Sequence, residues 1–191
     1  MSEPTDTPTV LVVDDEQEVA DVYALRLRSE YDIDVAYGGE EALETVDAAT
    51  DVVLLDRRMP DRSGDEVLEE IRARGLDCRV IMLTAVDPDF DIIDMEFDDY
   101  LCKPVEKDDL VSAIEQQMAA SRYDERLTEY LEVTSKIALL ENEKTARELE
   151  ENDDIQRLRE RAASLKEEMD DVLDEFEDIE AAFRDIGRQP G

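Results

Sequence analysis

Histidine and tryptophan are absent from this 191-residue chain, and all aromatic residues together make up 5% of it. Without histidine the chain has no Ser-His or Cys-His nucleophile pair, no imidazole ligand for a metal and no histidine that carries a phosphoryl group. No apolar run approaches the ~20 residues of a membrane span, and residues 1–8 lack the apolar stretch of a signal peptide. We therefore expect a soluble, cytoplasmic protein that does not enter a membrane.

Cysteine is nearly absent as well, because Cys78 and Cys102 are the only two. They stand near the beginning and the end of two predicted neighbouring strands, which places them ~16 Å apart along the strand direction. That separation is too large for a disulfide, and a reducing cytoplasm disfavours one in any case. We expect Cys102 to face the core as a small apolar residue.

Basic residues are few: 21 Lys and Arg stand against 55 Asp and Glu, for a net charge of −34. A protein this acidic repels itself at low salt, and the repulsion weakens once the Debye length falls to ~3 Å near 1 M salt. An excess of acidic residues also occurs in highly soluble proteins and in disordered acidic tails. Here the acidic residues are spread along the whole chain, unlike those of a tail. The composition resembles the surface of a haloarchaeal protein, and it weighs against unaided binding to nucleic acid.

Up to residue 121, short apolar runs alternate with stretches that have the spacing of amphipathic helices. Continuous apolar runs such as Thr9–Val13 are typical of strands buried on both faces. Five strand–helix units of this length predict a doubly wound parallel sheet with right-handed crossovers. The first helix is expected to bury Val19, Val22, Tyr23 and Leu27. The predicted strands are 9–13, 33–37, 52–55, 79–83 and 99–102, and the predicted helices are 15–30, 40–49, 64–74, a short one near 88–95, and 106–120.

Polar and charged residues stand where the predicted strands end. Asp14 and Asp15 follow the first strand, Asp56 follows the third, Thr84 the fourth and Lys103 the fifth. Because the carboxyl ends of parallel strands meet at one edge of the sheet, we expect these side chains to converge there. Three carboxylates brought together are costly unless a cation joins them, and ligands that are all oxygen suit Mg²⁺ above all.

This grouping suits phosphoryl transfer. A carboxylate beside such an ion attacks phosphorus to form an aspartyl phosphate, and the transferred group needs a hydroxyl donor and a cation around it. Taken singly, the residues have simpler interpretations: Asp14 or Asp15 as a helix cap, Thr84 as a turn residue, Tyr100 as a packing aromatic. Because suitable side chains stand at four strand ends at once, we favour a phosphoryl-transfer site over these simpler interpretations.

Residues 9–121 resemble the receiver domain of two-component response regulators. The matching pieces are the pair Asp14-Asp15, the segment Asp56-Arg57-Arg58-Met59-Pro60-Asp61-Arg62-Ser63-Gly64, the pair Thr84-Ala85, and Asp99-Tyr100-Leu101-Cys102-Lys103-Pro104. The resemblance implies a five-stranded, flavodoxin-like sheet with strand order 2-1-3-4-5, a bound Mg²⁺ or Mn²⁺, and Asp56 as the phosphoacceptor.

The resemblance also implies a role for each matching residue. Asp15 would bind the metal directly, Asp14 partly through water, Asp56 by its carboxylate and Arg58 by its backbone carbonyl.

Beyond the metal ligands, Thr84 would move to bond a phosphoryl oxygen, Lys103 would pair with the phosphoryl group, and Tyr100 would be the rotating aromatic that reports the state. The peptide bond between Lys103 and Pro104 is cis in the family pattern. The stretch from Thr84 to Lys103 is shorter than is common in the family, so we expect a shortened fourth helix. Because the signalling face of the family includes that helix, the sequence does not identify the face through which this chain dimerises.

The region after residue 121 has neither proline nor glycine until Gly187. Apolar residues recur there at alternating steps of three and four, the pattern of a coiled-coil seam. An earlier helix, about 122–150, has a weaker seam that includes Leu127, Leu131 and Ala138, and Asp153 with Gln156 predicts a capping box at the start of the second helix. The seam consists of Ile155, Leu158, Ala162, Leu165, Met169, Val172, Phe176, Ile179, Phe183 and Ile186.

The tail resembles the HalX domain that follows haloarchaeal receivers. The matching stretches are Tyr123-Asp124-Glu125-Arg126-Leu127, Ser135-Lys136-Ile137-Ala138-Leu139-Leu140-Glu141 and Glu180-Ala181-Ala182-Phe183-Arg184. Its seams can be covered by an intrachain hairpin or by a second chain, and we favour a homodimer with some hairpin character. The expected organisation is a disordered N-terminus at 1–8, a receiver domain at 9–121, a HalX-type domain at 122–186 and a flexible C-terminus at 187–191.

These resemblances imply a response regulator that takes a phosphoryl group from a sensor histidine kinase on Asp56 and switches its helical tail. Such a protein is not an enzyme in the usual sense, because it catalyses only its own phosphoryl transfer and dephosphorylation. One alternative is a transcriptional regulator that binds DNA through the tail, although we find no helix-turn-helix, zinc finger or basic stripe. A more remote alternative is an Asp-based phosphatase, which would need an Asp-x-Asp motif after the first strand, where Asp14-Asp15-Glu16 stands instead.

Overall fold

The structure is a computed structural model that describes residues 7–85 and 90–185, and for 177–185 it describes the backbone alone. The strands are β1 Thr9–Val13, β2 Asp32–Ala36, β3 Val52–Asp56, β4 Arg79–Thr84 and β5 Asp99–Cys102. The helices are α1 Gln17–Leu27, α2 Gly39–Thr45, α3 Gly64–Ala73, α4 Lys107–Glu143, α5 Ala146–Glu150 and α6 Asp153–Asp185, with a 3-10 helix at Phe90–Ile92.

The five strands form one parallel sheet in the order β2-β1-β3-β4-β5, so the predicted doubly wound fold is confirmed. β1 lies next to β3 as well as β2, and the order therefore reverses at β1, which is the position where such sheets bind ligands. In register, Asp56 pairs with Leu83 on β4, and Thr84 pairs with Cys102 on β5.

Apolar residues fill both faces of the sheet, and this explains the continuous apolar runs in the strands. Alternate residues of β1 enter different cores: Val10 and Val12 face one, while Leu11 and Val13 face the other. The first core is closed by α1 and the beginning of α4, and the second by α2 and α3.

The predicted inward face of α1 is wrong at one position. Val22 is 45% exposed, whereas Ala20, Tyr23, Ala24 and Leu27 are buried. These four residues follow the helical spacing i, i+3, i+4, i+7, and Val22 lies off that stripe. The prediction chose the larger apolar residue over the alanines that fit the spacing.

Cys102 is exposed, so the expectation that it faces the core is wrong. β5 lies at the edge of the sheet, and its neighbour Leu101 takes the inward position, which turns Cys102 outward by strand alternation. Cys78 is buried, and both thiols are free.

In the described part of the connection between β4 and β5, the only helix is the 3-10 helix Phe90–Ile92. Of the short helix predicted near 88–95, positions 88 and 89 lie outside the described residues, and the described part contains the 3-10 helix Phe90–Ile92. In the described part of this connection, the shortened element therefore takes the form of a single 3-10 turn.

The structure divides into two compact units between Met118 and Ala119, and α4 contributes residues to both. The helix predicted for 106–120 and the next one, predicted for 122–150, are one helix as far as Glu143, because no proline or glycine interrupts it. α4 ends before Thr145, whose side chain and that of Glu148 form a capping box for α5. That break is absent from the sequence prediction.

The start of α6 also differs in detail from the prediction. Asn152, rather than Asp153, supplies the side-chain cap: its Oδ1 accepts from the backbone N–H groups of Asp154 and Ile155 at 2.9 and 3.2 Å. Gln156 donates its side-chain amide to the carbonyl of Leu149 at 3.0 Å instead of closing a capping box.

In the second unit, α6 runs antiparallel to the part of α4 that follows Ala119. Ion pairs join the two helices so that higher numbers on one meet lower numbers on the other, as in Arg126–Glu168 at 2.6 Å and Arg159–Glu141 at 2.8 Å. The helices therefore form an intrachain hairpin, while pairing with a second chain stays a prediction. Further pairs are Arg161–Glu129 and Arg122–Glu175.

The predicted seam of α6 lies on the covered side of this hairpin. Ile155, Leu165, Met169 and Val172 are buried, and Leu158, Ala162 and Phe176 are half-buried. On α4, Val133 is buried, whereas the predicted seam residues Leu131 and Ala138 are exposed. The side chains of Ile179 and Phe183, and all of Ile186, lie outside the described residues.

Both predicted flexible ends fall largely outside the described residues, which begin at Thr7 and end at Asp185. Within the described ranges, no helix has both the length and the apolar character that crossing a membrane would take.

Candidate functional site

Three carboxylates meet at the carboxyl end of the sheet, beside the point where the strand order reverses. Asp14 and Asp15 follow β1, Asp56 is the last residue of β3, and one oxygen of each lies within 4.8 Å of the others. Asp14 is 1% exposed and Asp56 is 6% exposed, while Asp15 is half-buried. The structure thus brings together the three acidic residues that the sequence analysis singled out.

Lys103 places its ammonium between two of these carboxylates. Its Nζ lies 2.6 Å from Oδ2 of Asp14 and 2.9 Å from Oδ1 of Asp56. The other oxygen of Asp14, Oδ1, accepts from the backbone N–H of Glu16 at 2.9 Å, and Glu16 rather than Asp14 is the N-cap residue of α1. Asp14 therefore serves the cluster and its own turn, not the helix that follows.

The electrostatics of the cluster follow from burial and mutual repulsion. Burial raises the pKa of Asp56; Lys103 lowers it, and the charges of Asp14 and Asp15 raise it further. For Lys103, burial favours the neutral amine, but its bonds to Asp14 and Asp56 outweigh burial and raise the pKa, so the ammonium stays charged. One ammonium among three carboxylates leaves the site with an excess of negative charge.

Lys103 is positioned by its backbone and by the loop that follows it. Its N–H donates to the carbonyl of Thr84 at 2.6 Å, which continues the β4–β5 ladder by one step. The Lys103–Pro104 peptide bond is cis. Arg26 on α1 donates to the carbonyl of Val105 at 3.2 Å and so holds the turn beyond Pro104.

The loop after Asp56 is packed against the strand end, and Gly64 is the reason that it fits. A Cβ atom at Gly64 would lie 2.3 Å from the carbonyl oxygen of Asp56 and 2.8 Å from Cα of Arg57. The Gly64 N–H donates to the Arg57 carbonyl at 2.9 Å, and Ser63 caps α3 in a capping box with Glu66. A helix therefore begins directly against the backbone of the candidate phosphoacceptor.

The remaining predicted residues are not all part of this group. Thr84 is 1% exposed at the end of β4, one residue beyond Leu83, which pairs with Asp56. Arg58 lies in the loop after β3 with an exposed side chain. Tyr100 is half-buried on β5; its hydroxyl lies 3.5 Å from Nη1 of Arg57, and its ring packs against Phe97 with centroids 5.6 Å apart.

Arg57 is a residue that the sequence analysis missed. Its guanidinium forms a bidentate pair with Asp65 on α3, at 3.0 and 3.2 Å, and a second pair with Asp91 of the 3-10 helix. These bonds, to Asp65 first and then to Asp91, raise its pKa further above an already high value. No local signal reveals this contact, because Asp91 is distant in sequence and lies in a connection without regular spacing.

The donor set suits a hard divalent cation. Mg²⁺ binds one or two carboxylates and keeps several waters, and it requires oxygen ligands that are close together and partly open to solvent. The three carboxylates are close enough, Asp15 is accessible, and the single ammonium does not balance their charge. The residues present therefore fit such an ion.

Comparison with known protein families matches the response regulator receiver domain over residues 10–115 and the HalX domain over residues 119–186. The chain belongs to the response regulator receiver family. The receiver match covers the sheet except for Thr9 and includes every residue of the acidic cluster, and the HalX match covers the helical hairpin. Receiver domains are signalling modules rather than metabolic enzymes.

Two similar proteins are longer than this chain. A protein named "Putative transcriptional regulator" from Haloferax volcanii is 42% identical over 187 residues, which are 94% of this chain and 32% of that protein. The transcriptional regulatory protein DltR of Streptococcus agalactiae is 39% identical over 110 residues, which are 55% of this chain and 49% of DltR. This chain thus spans about a third of the first relative and about half of the second.

Solved structures match the receiver part. The receiver domain of a putative LuxO repressor protein from Vibrio parahaemolyticus has a TM-score of 0.57 and 26% identity, covering 62% of this chain and 95% of that one. The response regulator TrrA from Thermotoga maritima, solved in complex with Mg²⁺ and beryllium fluoride, has a TM-score of 0.50 and 34% identity, covering 58% and 98%.

Proposed function

We propose that this chain is the receiver and helical output of a two-component phosphorelay, in which Asp56 takes a phosphoryl group from a sensor histidine kinase. The observation that carries the proposal is the cluster of Asp14, Asp15 and Asp56 around the ammonium of Lys103. None of the 191 residues is a histidine, so the donor imidazole lies outside them.

In the proposed reaction, a carboxylate oxygen of Asp56 attacks phosphorus, and the bond from phosphorus to the donor nitrogen breaks. An acyl phosphate forms on Asp56, and the leaving imidazole takes up a proton from solvent. Lys103 already lies 2.9 Å from Asp56 and would pair with the incoming phosphoryl oxygens, while Thr84, at the neighbouring strand end, would donate its hydroxyl. Tyr100 would respond to that movement as the switching aromatic.

A divalent cation completes this proposal, Mg²⁺ first and Mn²⁺ as the alternative. Asp14, Asp15, Asp56 and the backbone carbonyl of Arg58 would hold it, and when bound it offsets the charge of the carboxylates and phosphoryl oxygens. The relative TrrA, solved with Mg²⁺ and beryllium fluoride, supports this assignment.

The test is to incubate the full chain with Mg²⁺ and acetyl phosphate in concentrated KCl and to measure its intact mass. We expect the wild type to gain one phosphate and Asp56→Asn to gain none. Asp61→Asn is the matched control, because Asp61 lies in the same loop, is exposed and makes the same change of charge outside the cluster. A wild type that gains no phosphate, or an Asp56→Asn variant that does, contradicts the proposal.

The output of the switch would be the helical tail, through its pairing with a second chain or with another protein. A second candidate is regulation of transcription, which the name of the Haloferax relative favours. In the described part of the tail, Arg122, Arg126, Arg159 and Arg161 pair with carboxylates, which leaves fewer cations for phosphate contacts. Specific binding of the chain alone to its own promoter DNA at high salt would favour this candidate.

A further inference from the structure

The side chain of Arg57 joins separate segments of the receiver domain. The Arg57 side chain is only 14% exposed, and its guanidinium contacts Asp65 on α3, Asp91 in the 3-10 helix and the hydroxyl of Tyr100 on β5. A planar guanidinium suits this arrangement, since it directs several N–H groups in fixed directions. Arg57 is therefore a contact point between the phosphoacceptor loop and the β4–β5 connection.

The main chain of Arg57 is held as firmly as its side chain. Its N–H donates to the carbonyl of Leu83 on β4 at 2.9 Å, and its carbonyl accepts from Gly64 at 2.9 Å. Asp56, the preceding residue, pairs in register with the same Leu83. A displacement at the end of β3 therefore reaches the guanidinium directly.

The two carboxylates that hold Arg57 differ in what they connect. Asp65 belongs to α3, which follows the same loop and is fixed by its own capping box, so the Arg57–Asp65 pair is local. Asp91 belongs to the 3-10 helix Phe90–Ile92, in which Phe90 is 85% exposed, and Ile93 directly after it is 72% exposed. The Arg57–Asp91 pair thus ties a lightly packed segment to the residue beside the phosphoacceptor.

We infer that the Arg57–Asp91 ion pair is a latch that holds the 3-10 helix in the unphosphorylated receiver and opposes modification of Asp56. The inference rests on the proposed function. A phosphoryl group on Asp56 draws donors toward its oxygens, and Thr84 is the buried hydroxyl at the adjacent strand end. Leu83, the residue before Thr84, accepts the backbone N–H of Arg57, so drawing Thr84 inward displaces Arg57 and strains the latch.

Coupling of this kind is reciprocal. If occupancy of the site strains the latch, then removing the latch must favour occupancy by the same factor. The matched substitutions are Asp91→Asn and Asp65→Asn. Each removes the negative charge of one carboxylate that pairs with Arg57, and only Asp91→Asn releases the 3-10 helix.

The experiment titrates the full-length wild type, Asp91→Asn and Asp65→Asn with beryllium fluoride in the presence of Mg²⁺, followed by calorimetry. We expect Asp91→Asn to bind beryllium fluoride about two- to fivefold more tightly than Asp65→Asn, because a partly exposed ion pair contributes an energy of that size. Arg57→Gln should show the same gain as Asp91→Asn, and the double variant Arg57→Gln/Asp91→Asn should show no further gain.

Each outcome has one consequence. Equal affinities in Asp91→Asn and Asp65→Asn overturn the latch while leaving the proposed function intact, and so does an additive gain in the double variant. A wild type that binds no beryllium fluoride and takes no phosphate from acetyl phosphate overturns the proposed function and the latch together.

Discussion

Lys103 shares its ammonium between the carboxylates of Asp14 and Asp56, and burial still leaves the pKa of Asp56 above its ordinary value of 3.8. A carboxyl group with a higher pKa in the folded chain holds its proton more tightly there than in the unfolded chain. Its contribution to stability is present below pH 3.8 and is lost as the pH rises through the folded pKa. Near neutral pH, the ionised Asp56 therefore destabilises the fold.

This sign gives a prediction for Asp56→Asn in the presence of a chelator. The variant should have a higher Tm than the wild type near neutral pH, and the difference should shrink as the pH is lowered toward 3.8. Thermal unfolding followed by circular dichroism at several pH values measures it. A variant that is less stable than the wild type at neutral pH would contradict this. It would show that the bond to Lys103 stabilises the ionised Asp56 more than burial destabilises it.

Gly64 carries a second prediction at this scale. Gly64→Ala inserts a Cβ 2.3 Å from the Asp56 carbonyl oxygen, so backbone must shift, at a cost of about 1–3 kcal/mol. We expect a lower Tm and slower phosphorylation by acetyl phosphate, since the displaced backbone belongs to Asp56, the proposed phosphoacceptor. Gly38→Ala is the control, because nothing lies within 4 Å of a Cβ there and the change should be much smaller. Equal effects at the two glycines would contradict the packing argument.

The helices of the second unit show what a capping residue does at the scale of an element. Thr145 accepts from the backbone N–H of Glu148 and begins α5, a helix of 5 residues that buries Leu149. Thr145→Ala should cost about 1 kcal/mol, the usual loss of an N-cap, and lower the Tm by about 2–4 °C. Thr128→Ala is the control, because Thr128 bonds back to the carbonyl of Asp124 on the exposed face of α4 and caps nothing. A loss as large at Thr128 as at Thr145 would contradict the assignment.

The sequence predicts elements well where one physical rule acts alone. Continuous apolar runs mark β1, β3 and β4 to within one residue, and strand ends predict the acidic cluster because parallel strands share an edge. The prediction fails where two residues compete for one buried position. Ala20 is buried on α1 in place of Val22, and Leu101 is buried on the edge strand in place of Cys102. It also fails at Thr145, which caps a new helix although the apolar spacing continues past it. It also misses the Arg57–Asp91 contact, which only the folded chain brings together.

At the scale of the whole molecule, we expect the net charge of −34 to control how stability depends on salt. Like charges repel at long range, whereas the ion pairs of the hairpin act at short range, so added salt should relieve more repulsion than it removes attraction. We expect the Tm to rise as KCl is raised from ~0.1 M to ~1 M, with NaCl acting in the same way if screening alone is responsible. A Tm that falls over this range would mean that the ion pairs, rather than the repulsion, control stability.

The outward turn of Cys102 has a practical consequence for following the switch. The chain has no tryptophan to serve as an intrinsic fluorophore, yet its exposed thiol lies one residue before Lys103, while Cys78 is buried. A maleimide dye should attach to Cys102 alone in the folded protein. The native chain thus offers a site for a reporter dye beside the acidic cluster, without any engineered position.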